Sequence, residues 1–231
     1  MLKMISVFVG VGLRPAGAVI AILLAFIVAC NNKPRESTQP STPVTSIEQR
    51  QKIVAFGDSL TAGLGLTASE TYPAQLQKLL DESGYKYEVV NAGVSGDTTS
   101  GGIRRMDWVL DEHVKFVVLE LGANDVLRGQ PIQLVKENLS KMIETMQARG
   151  IVVVLAGMEA PTNSGPEYRK EVHEAYQALA DKYKTPFIPF VLQDVLQSEN
   201  FTQEDLSHPN AAGAKVLART VFNALVPVLT K

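Results

Sequence analysis

Four short stretches of the chain hold the residues that could do chemistry. "FGDSLTAG" (56–63) carries Ser59 after an apolar run, and "NAGVSGDT" (91–98) carries Gly93. "LGANDVLRG" (121–129) carries Asn124, and "DLSHPN" (205–210) sets Asp205 three residues before His208. A serine hydroxyl is a poor nucleophile until a base removes its proton. His208 can be that base. Asp205 can hold the imidazole in the required tautomer and stabilise the imidazolium that forms. Attack on a carbonyl creates an oxyanion, which needs donors aimed at it. The Ser59 N–H, the Gly93 N–H and the Asn124 amide are the candidates, and glycine at 93 lets a substrate approach the backbone closely.

Each of these residues also has a plainer use. A serine after a strand can cap the next segment, an Asn-Asp pair favours a turn, and a lone histidine can sit on the surface. His208 differs from His113 and His173 in having a carboxylate three residues upstream and in the proline that follows it. Asp58, Asp97 and Asp125 share the same strand ends and suit loop hydrogen bonding, with Asp97 the nearest to a structural role beside the site.

The elements that must position these residues can be read from periodicity. Nearly continuous apolar, β-branched runs at 52–57, 87–93, 116–122, 151–157 and 185–191 predict strands covered on both faces. Pro186 and Pro189 make the last an edge or irregular strand. Amphipathic stretches at 71–84, 131–150, 166–183 and 210–229 predict helices, with a shorter one over 100–110. The first has Thr71 as N-cap and stops at Gly84. Alternating strands and helices predict a parallel sheet with helices on both faces and right-handed crossovers. Ligands of such sheets bind outside the carboxyl ends of the strands. The first three of the four stretches fall there, and the last lies just before the final helix. Leu127, Met158, Ala160, Pro161 and Tyr168 are expected to line an acyl pocket in the same region.

In this order the four stretches resemble the blocks of the SGNH (GDSL) hydrolase superfamily, and most nearly its bacterial periplasmic thioesterase, lysophospholipase and arylesterase group. The resemblance spans residues 52–229. It implies a flavodoxin-like three-layer α/β/α sandwich with a five-stranded parallel sheet. It also implies a serine esterase or thioesterase that acts on acyl or aryl esters through an acyl-enzyme, with no metal and no cofactor. Carried over, Ser59, Asp205 and His208 form the triad, and Ser59, Gly93 and Asn124 the oxyanion hole. Deacetylation of cell-envelope carbohydrate, or a non-catalytic envelope binding protein that keeps the fold, are the alternatives.

The beginning of the chain has a different character. Lys3 and Arg14 precede an uncharged apolar run at 16–29, and the sole cysteine, Cys30, closes "IVAC". The run suits the apolar region of a signal peptide, and "IVAC" resembles the lipobox of bacterial lipoproteins. Residues 1–29 are therefore read as a lipoprotein-type signal peptide. Residues 30–50, rich in Pro, Ser, Thr, Asn and Gln, form a lipidated Cys30 and a flexible tether, and 51–231 the hydrolase domain. That order implies a periplasm-facing envelope lipoprotein, more in keeping with the outer membrane than the inner. A single cysteine excludes an intrachain disulfide, and a formal net charge of -2 offers no footprint for nucleic acid. Nothing points to an obligate protein partner.

Overall fold

The computed structural model describes residues 50–231. The expected signal peptide, Cys30 and the tether lie outside the described residues, apart from Arg50, an exposed residue ion-paired with Asp81 at 3.2 Å. Strands β1 (Gln51–Gly57), β2 (Tyr87–Gly93), β3 (Val114–Glu120), β4 (Val152–Ala156) and β5 (Phe187–Ile188) form one sheet in the order β2-β1-β3-β4-β5. All its pairings are parallel. The central strands are apolar without alternation because they are covered on both faces. Ile53, Val54, Ala55 and Phe56 of β1 and Val117, Val118 and Leu119 of β3 are wholly buried. Each such valine, leucine, isoleucine or phenylalanine side chain contributes about 1.5–3 kcal/mol by leaving water.

Seven helices complete the domain: α1 (Ser59–Ala62), α2 (Tyr72–Glu82), α3 (Thr99–Val109), α4 (Ala123–Leu127), α5 (Ile132–Ala148), α6 (Pro166–Tyr183) and α7 (Ala211–Leu225). Right-handed crossovers put α2 on one face of the sheet and α3, α5 and α6 on the other. In keeping with this, α7 packs against α2, α5 against α3 and α6 against α5. The Thr71 hydroxyl caps α2 by accepting the Ala74 N–H at 3.4 Å, and Leu76 and Leu80 bury its inner face. The segment Ala211–Val228 has the length and apolarity of a membrane span, yet Leu217, Val221 and Leu225 of α7 are buried in the core.

Two features differ from the sequence-based expectation. β5 is only two residues long, because Pro186 and Pro189 on either side of it have no N–H to add to a ladder. The expected loops after β1 and β3 are instead single turns of helix, α1 and α4. These turns matter for the site. The strand order reverses at β1, which is flanked by β2 and β3, and the crevice at such a reversal is where parallel sheets bind ligands.

Candidate active site

Ser59 opens α1 at the carboxyl end of β1, so its N–H has no intrahelical acceptor and its side chain stands above the sheet edge. His208 arrives from 149 residues away. Its Nε2 is 2.9 Å from the Ser59 Oγ, and its Nδ1 is 2.6 Å from the Asp205 Oδ2. The turn that carries both residues is tightly held. Asp205 Oδ1 accepts the backbone N–H groups of Ser207 and His208 at 3.0 and 2.9 Å. Gln203 N–H donates to the His208 carbonyl at 2.8 Å, and Asn210 caps α7 through the Ala212 and Gly213 N–H groups. Leu206, between them, adopts φ +54°, a left-handed conformation that costs a leucine on the order of 1–2 kcal/mol. Three bonds onto Asp205 hold the turn in place against that cost. They also draw the Asp205 carboxyl down to about 2, the His208 N–H contributing most, then the imidazole and the Ser207 N–H. It is a fixed anion against the ring, and the hydroxyl lies within proton-transfer reach of Nε2.

On the other side of Ser59 the arrangement is buried. Asp58, 1% exposed, accepts the Leu60 N–H at 3.2 Å with Oδ1 and the Asn124 side-chain amide at 3.0 Å with Oδ2. One amide hydrogen of Asn124 is thereby engaged, and the side chain is oriented by α4 and by Asp58 together. Behind Asp58 lies Glu120, the last residue of β3, also 1% exposed. Its Oε2 accepts the Asp58 N–H at 3.2 Å and the Thr61 hydroxyl at 2.7 Å, while its Oε1 has no partner. Burial pushes the Glu120 carboxyl well above the usual carboxylate range, with the Asp58 charge adding to the effect. Burial also raises Asp58, although its hydrogen bonds from Leu60 and Asn124 oppose the shift.

Two glycines serve this buried side rather than the substrate. A Cβ on Gly57 would lie 2.1 Å from Thr61 Oγ1 and 2.3 Å from Glu120 Oε2. One on Gly93 would lie 2.1 Å from the Ala62 nitrogen, so glycine there lets β2 pass the backbone of α1. Gly93 also departs from its expected role as a donor, because its N–H is given to the Asn91 Oδ1 at 2.9 Å. In the turn that follows, the Ser95 and Gly96 N–H groups have no acceptor among the described residues. Arg105, which periodicity placed only on a helix, locks this corner. Its Nε donates to Asp97 at 2.7 Å, its Nη1 to the Ala92 carbonyl at 2.7 Å and its Nη2 to the Gly57 carbonyl at 2.9 Å. The guanidinium also stacks over Phe56. Asp97 thus has the structural role expected of it.

A cavity of about 540 Å³ opens onto Ser59, Asn124 and His208. Leu127, Met158, Ala160 and Pro161, four of the five expected pocket residues, line it together with Leu206 and Arg169. Tyr168 is outside that lining, and its hydroxyl donates to the Gln130 carbonyl at 3.2 Å. No group of three or more His, Cys, Asp and Glu side chains is placed to hold a metal ion among the described residues.

A parallel α/β sandwich that gathers a serine, a histidine and an aspartate over its strand ends defines a hydrolase of the serine type. Within that class, the GDSL-like Lipase/Acylhydrolase family matches residues 55–216, and the chain belongs to it. The chain is similar to Esterase TesA of Pseudomonas aeruginosa, with 40% identity over 180 residues, 78% of this chain and 90% of that protein. It is also similar to the Thioesterase 1/protease 1/lysophospholipase L1 of Escherichia coli, with 32% identity over 178 residues, 77% of this chain and 84% of that one. The crystal structure of TesA superimposes with a TM-score of 0.74 at 39% identity, over 78% of this chain and all of the other. The chain is accordingly an esterase with the SGNH hydrolase fold.

Proposed function

We propose that Ser59 is the nucleophile of this esterase, His208 its general base and Asp205 the residue that orients the imidazole. Ser59 Oγ attacks the carbonyl carbon of an ester or thioester while Nε2 takes its proton. The tetrahedral intermediate then collapses as the imidazolium returns that proton to the leaving alcohol or thiol. Water, activated by the same nitrogen, releases the acid from the acyl-enzyme. The oxyanion is received by the Ser59 N–H, by the second hydrogen of the Asn124 amide and by a backbone N–H of the turn after β2, with Ser95 and Gly96 the unengaged donors. The observation that carries this reading is the continuous Ser59–His208–Asp205 relay, at 2.9 and 2.6 Å, on the wall of the cavity.

Leu127, Met158 and Pro161 give that cavity an apolar wall, which favours an acyl or aryl substrate over an acetylated sugar. Similarity to a thioesterase and lysophospholipase supports thioesters as well as oxygen esters. The sequence of residues 1–30 further supports export and attachment to the cell envelope through a lipid on Cys30. Incorporation of a labelled fatty acid by the wild-type chain but not by Cys30→Ser tests the anchor.

The decisive experiment on the site uses Ser59→Ala. Hydrolysis of p-nitrophenyl butyrate should fall by on the order of 10⁴-fold or more, and covalent labelling by a fluorophosphonate should vanish. A variant that keeps its rate, or still takes the label, would overturn the assignment.

A further inference from the structure

The cavity beside Ser59 contains one charge that its own walls leave unanswered. Arg169, in the first turns of α6, lines that cavity among apolar neighbours that include Leu127, Met158 and Phe190. Its Nε is buried and bonded to nothing. No ion pair to its guanidinium occurs among the described residues. Two carboxylates share the cavity wall, and both are engaged elsewhere. Glu159 faces the His173 Nδ1 at 3.1 Å, and Asp58 holds Leu60 and Asn124. Arg105 gives the contrast. It is similarly enclosed, and each of its three nitrogens has an acceptor.

A guanidinium keeps its charge at any accessible pH and has five donors in a fixed fork that matches the oxygens of a carboxylate or phosphate. Leaving a buried donor unmatched is unfavourable, and in an apolar cavity an opposite charge compensates for it best. We propose that Arg169 is an anion subsite of the esterase, and that the preferred substrates are amphiphilic esters whose apolar part fills the cavity while a carboxylate or phosphate pairs with Arg169. The proposal rests on the reading of the Ser59 cavity as the ester site. Arg169 is a specificity residue in it and takes no part in bond making.

The test compares matched esters on the wild type, Arg169→Gln and Arg169→Lys. One pair is p-nitrophenyl butyrate and the p-nitrophenyl monoester of glutaric acid, which adds a carboxylate. The other is a monoacylglycerol and a lysophosphatidic acid of the same chain length, which adds a phosphate. In Arg169→Gln the ratio of kcat/KM for the anionic ester to that for its neutral partner should fall about ten- to a hundredfold, in keeping with the loss of a charged hydrogen bond. Arg169→Lys should restore part of it. The pair with the larger fall identifies the anion. Equal losses on anionic and neutral esters in both pairs would mean a structural arginine and overturn the proposal. Should Arg169→Gln fail to melt cooperatively, competition on the wild type decides: dodecyl phosphate or dodecanoate must inhibit at least about tenfold more tightly than dodecanol, and equal inhibition overturns the subsite. Loss of all turnover in Ser59→Ala with an unchanged ratio in Arg169→Gln would refute the subsite alone. Retained turnover in Ser59→Ala would refute the site beneath it.

Discussion

Ser59 stands between two aspartates in opposite surroundings. The Asp205 side chain is 48% exposed, on a turn near the end of the chain, and its carboxyl is held down to about 2 by donors from its own tetrapeptide. Asp58 is 1% exposed, accepts two hydrogen bonds against three onto Asp205, and is nevertheless raised, because burial outweighs them. The number of donors is similar on the two sides, so access to water decides the direction of each shift. The mechanical contrast follows the electrostatic one. The histidine side is a surface turn held mainly by local bonds, with Gln203 tying it to the Leu64 carbonyl at 2.7 Å. The amide side is built into the sheet through Glu120, Thr61 and Arg105.

The same isosteric change on each side is the sharpest way to break the comparison. Asp205→Asn keeps an acceptor for the backbone N–H groups but presents an amide donor to the Nδ1, which favours the wrong imidazole tautomer. The expected loss in kcat is on the order of 10⁴-fold, with little change in melting temperature because the residue is half-exposed. Asp58→Asn can still accept the Leu60 N–H but sets two amide groups against each other where Asn124 now bonds. Freeing Asn124 removes one oriented oxyanion donor, for a loss of about 10²–10³-fold in kcat, together with a lower melting temperature. Asn124→Ala should cost no more when combined with Asp58→Asn than when made alone, since both remove one interaction. Comparable rate losses at the two aspartates, or full additivity with Asn124→Ala, would show that the two sides do not divide the work as described.

Legibility in the sequence follows the same division. Asp205 and His208 share a tetrapeptide, so spacing alone exposes their relation. The bond from His208 to Ser59, 149 residues apart, is visible in sequence only through resemblance. The continuous apolar runs located β1 to β4 because burial on both faces leaves no alternation to misread, whereas β5 shrank to Phe187–Ile188 between its prolines. Glu120, Arg105 and Arg169 went unread. Periodicity identifies what is buried for being apolar, and these three are placed by bonds or cavities that only tertiary contacts create. Glu120 did leave a signal: a lone charge inside "FVVLELG", a run read as covered on both faces, must be buried if that reading holds. Glycine at 93 points to a donor because it permits close approach. The approach is real, but the partner is the α1 backbone.

The smallest effect tests the buried side most directly. In Glu120→Gln the amide oxygen can accept from the Asp58 N–H and Thr61 as Oε2 does now, and the amide nitrogen takes the place of the unpartnered Oε1. The wild-type carboxyl is raised in the folded state from its ordinary value of 4.5. The folded protein therefore holds this proton more tightly than the unfolded chain. The stabilisation that results is complete below pH 4.5, declines above it, and is lost as pH rises through the folded value. The slope is at most about 1.4 kcal/mol per pH unit for one proton. Asp205 has the opposite sign, its contribution being lost only as pH falls through about 2, so it does not interfere above pH 5. Glutamine has no proton to lose. The melting temperature of Glu120→Gln relative to wild type should therefore climb by a few degrees between pH 5 and pH 9, with ester hydrolysis near neutral pH within about threefold, because the amide keeps both acceptor bonds, from the Asp58 N–H and from Thr61. Parallel melting curves across that range would mean that the fold does not raise the Glu120 carboxyl into it, and that the core beneath Ser59 holds this carboxylate as a buried charge.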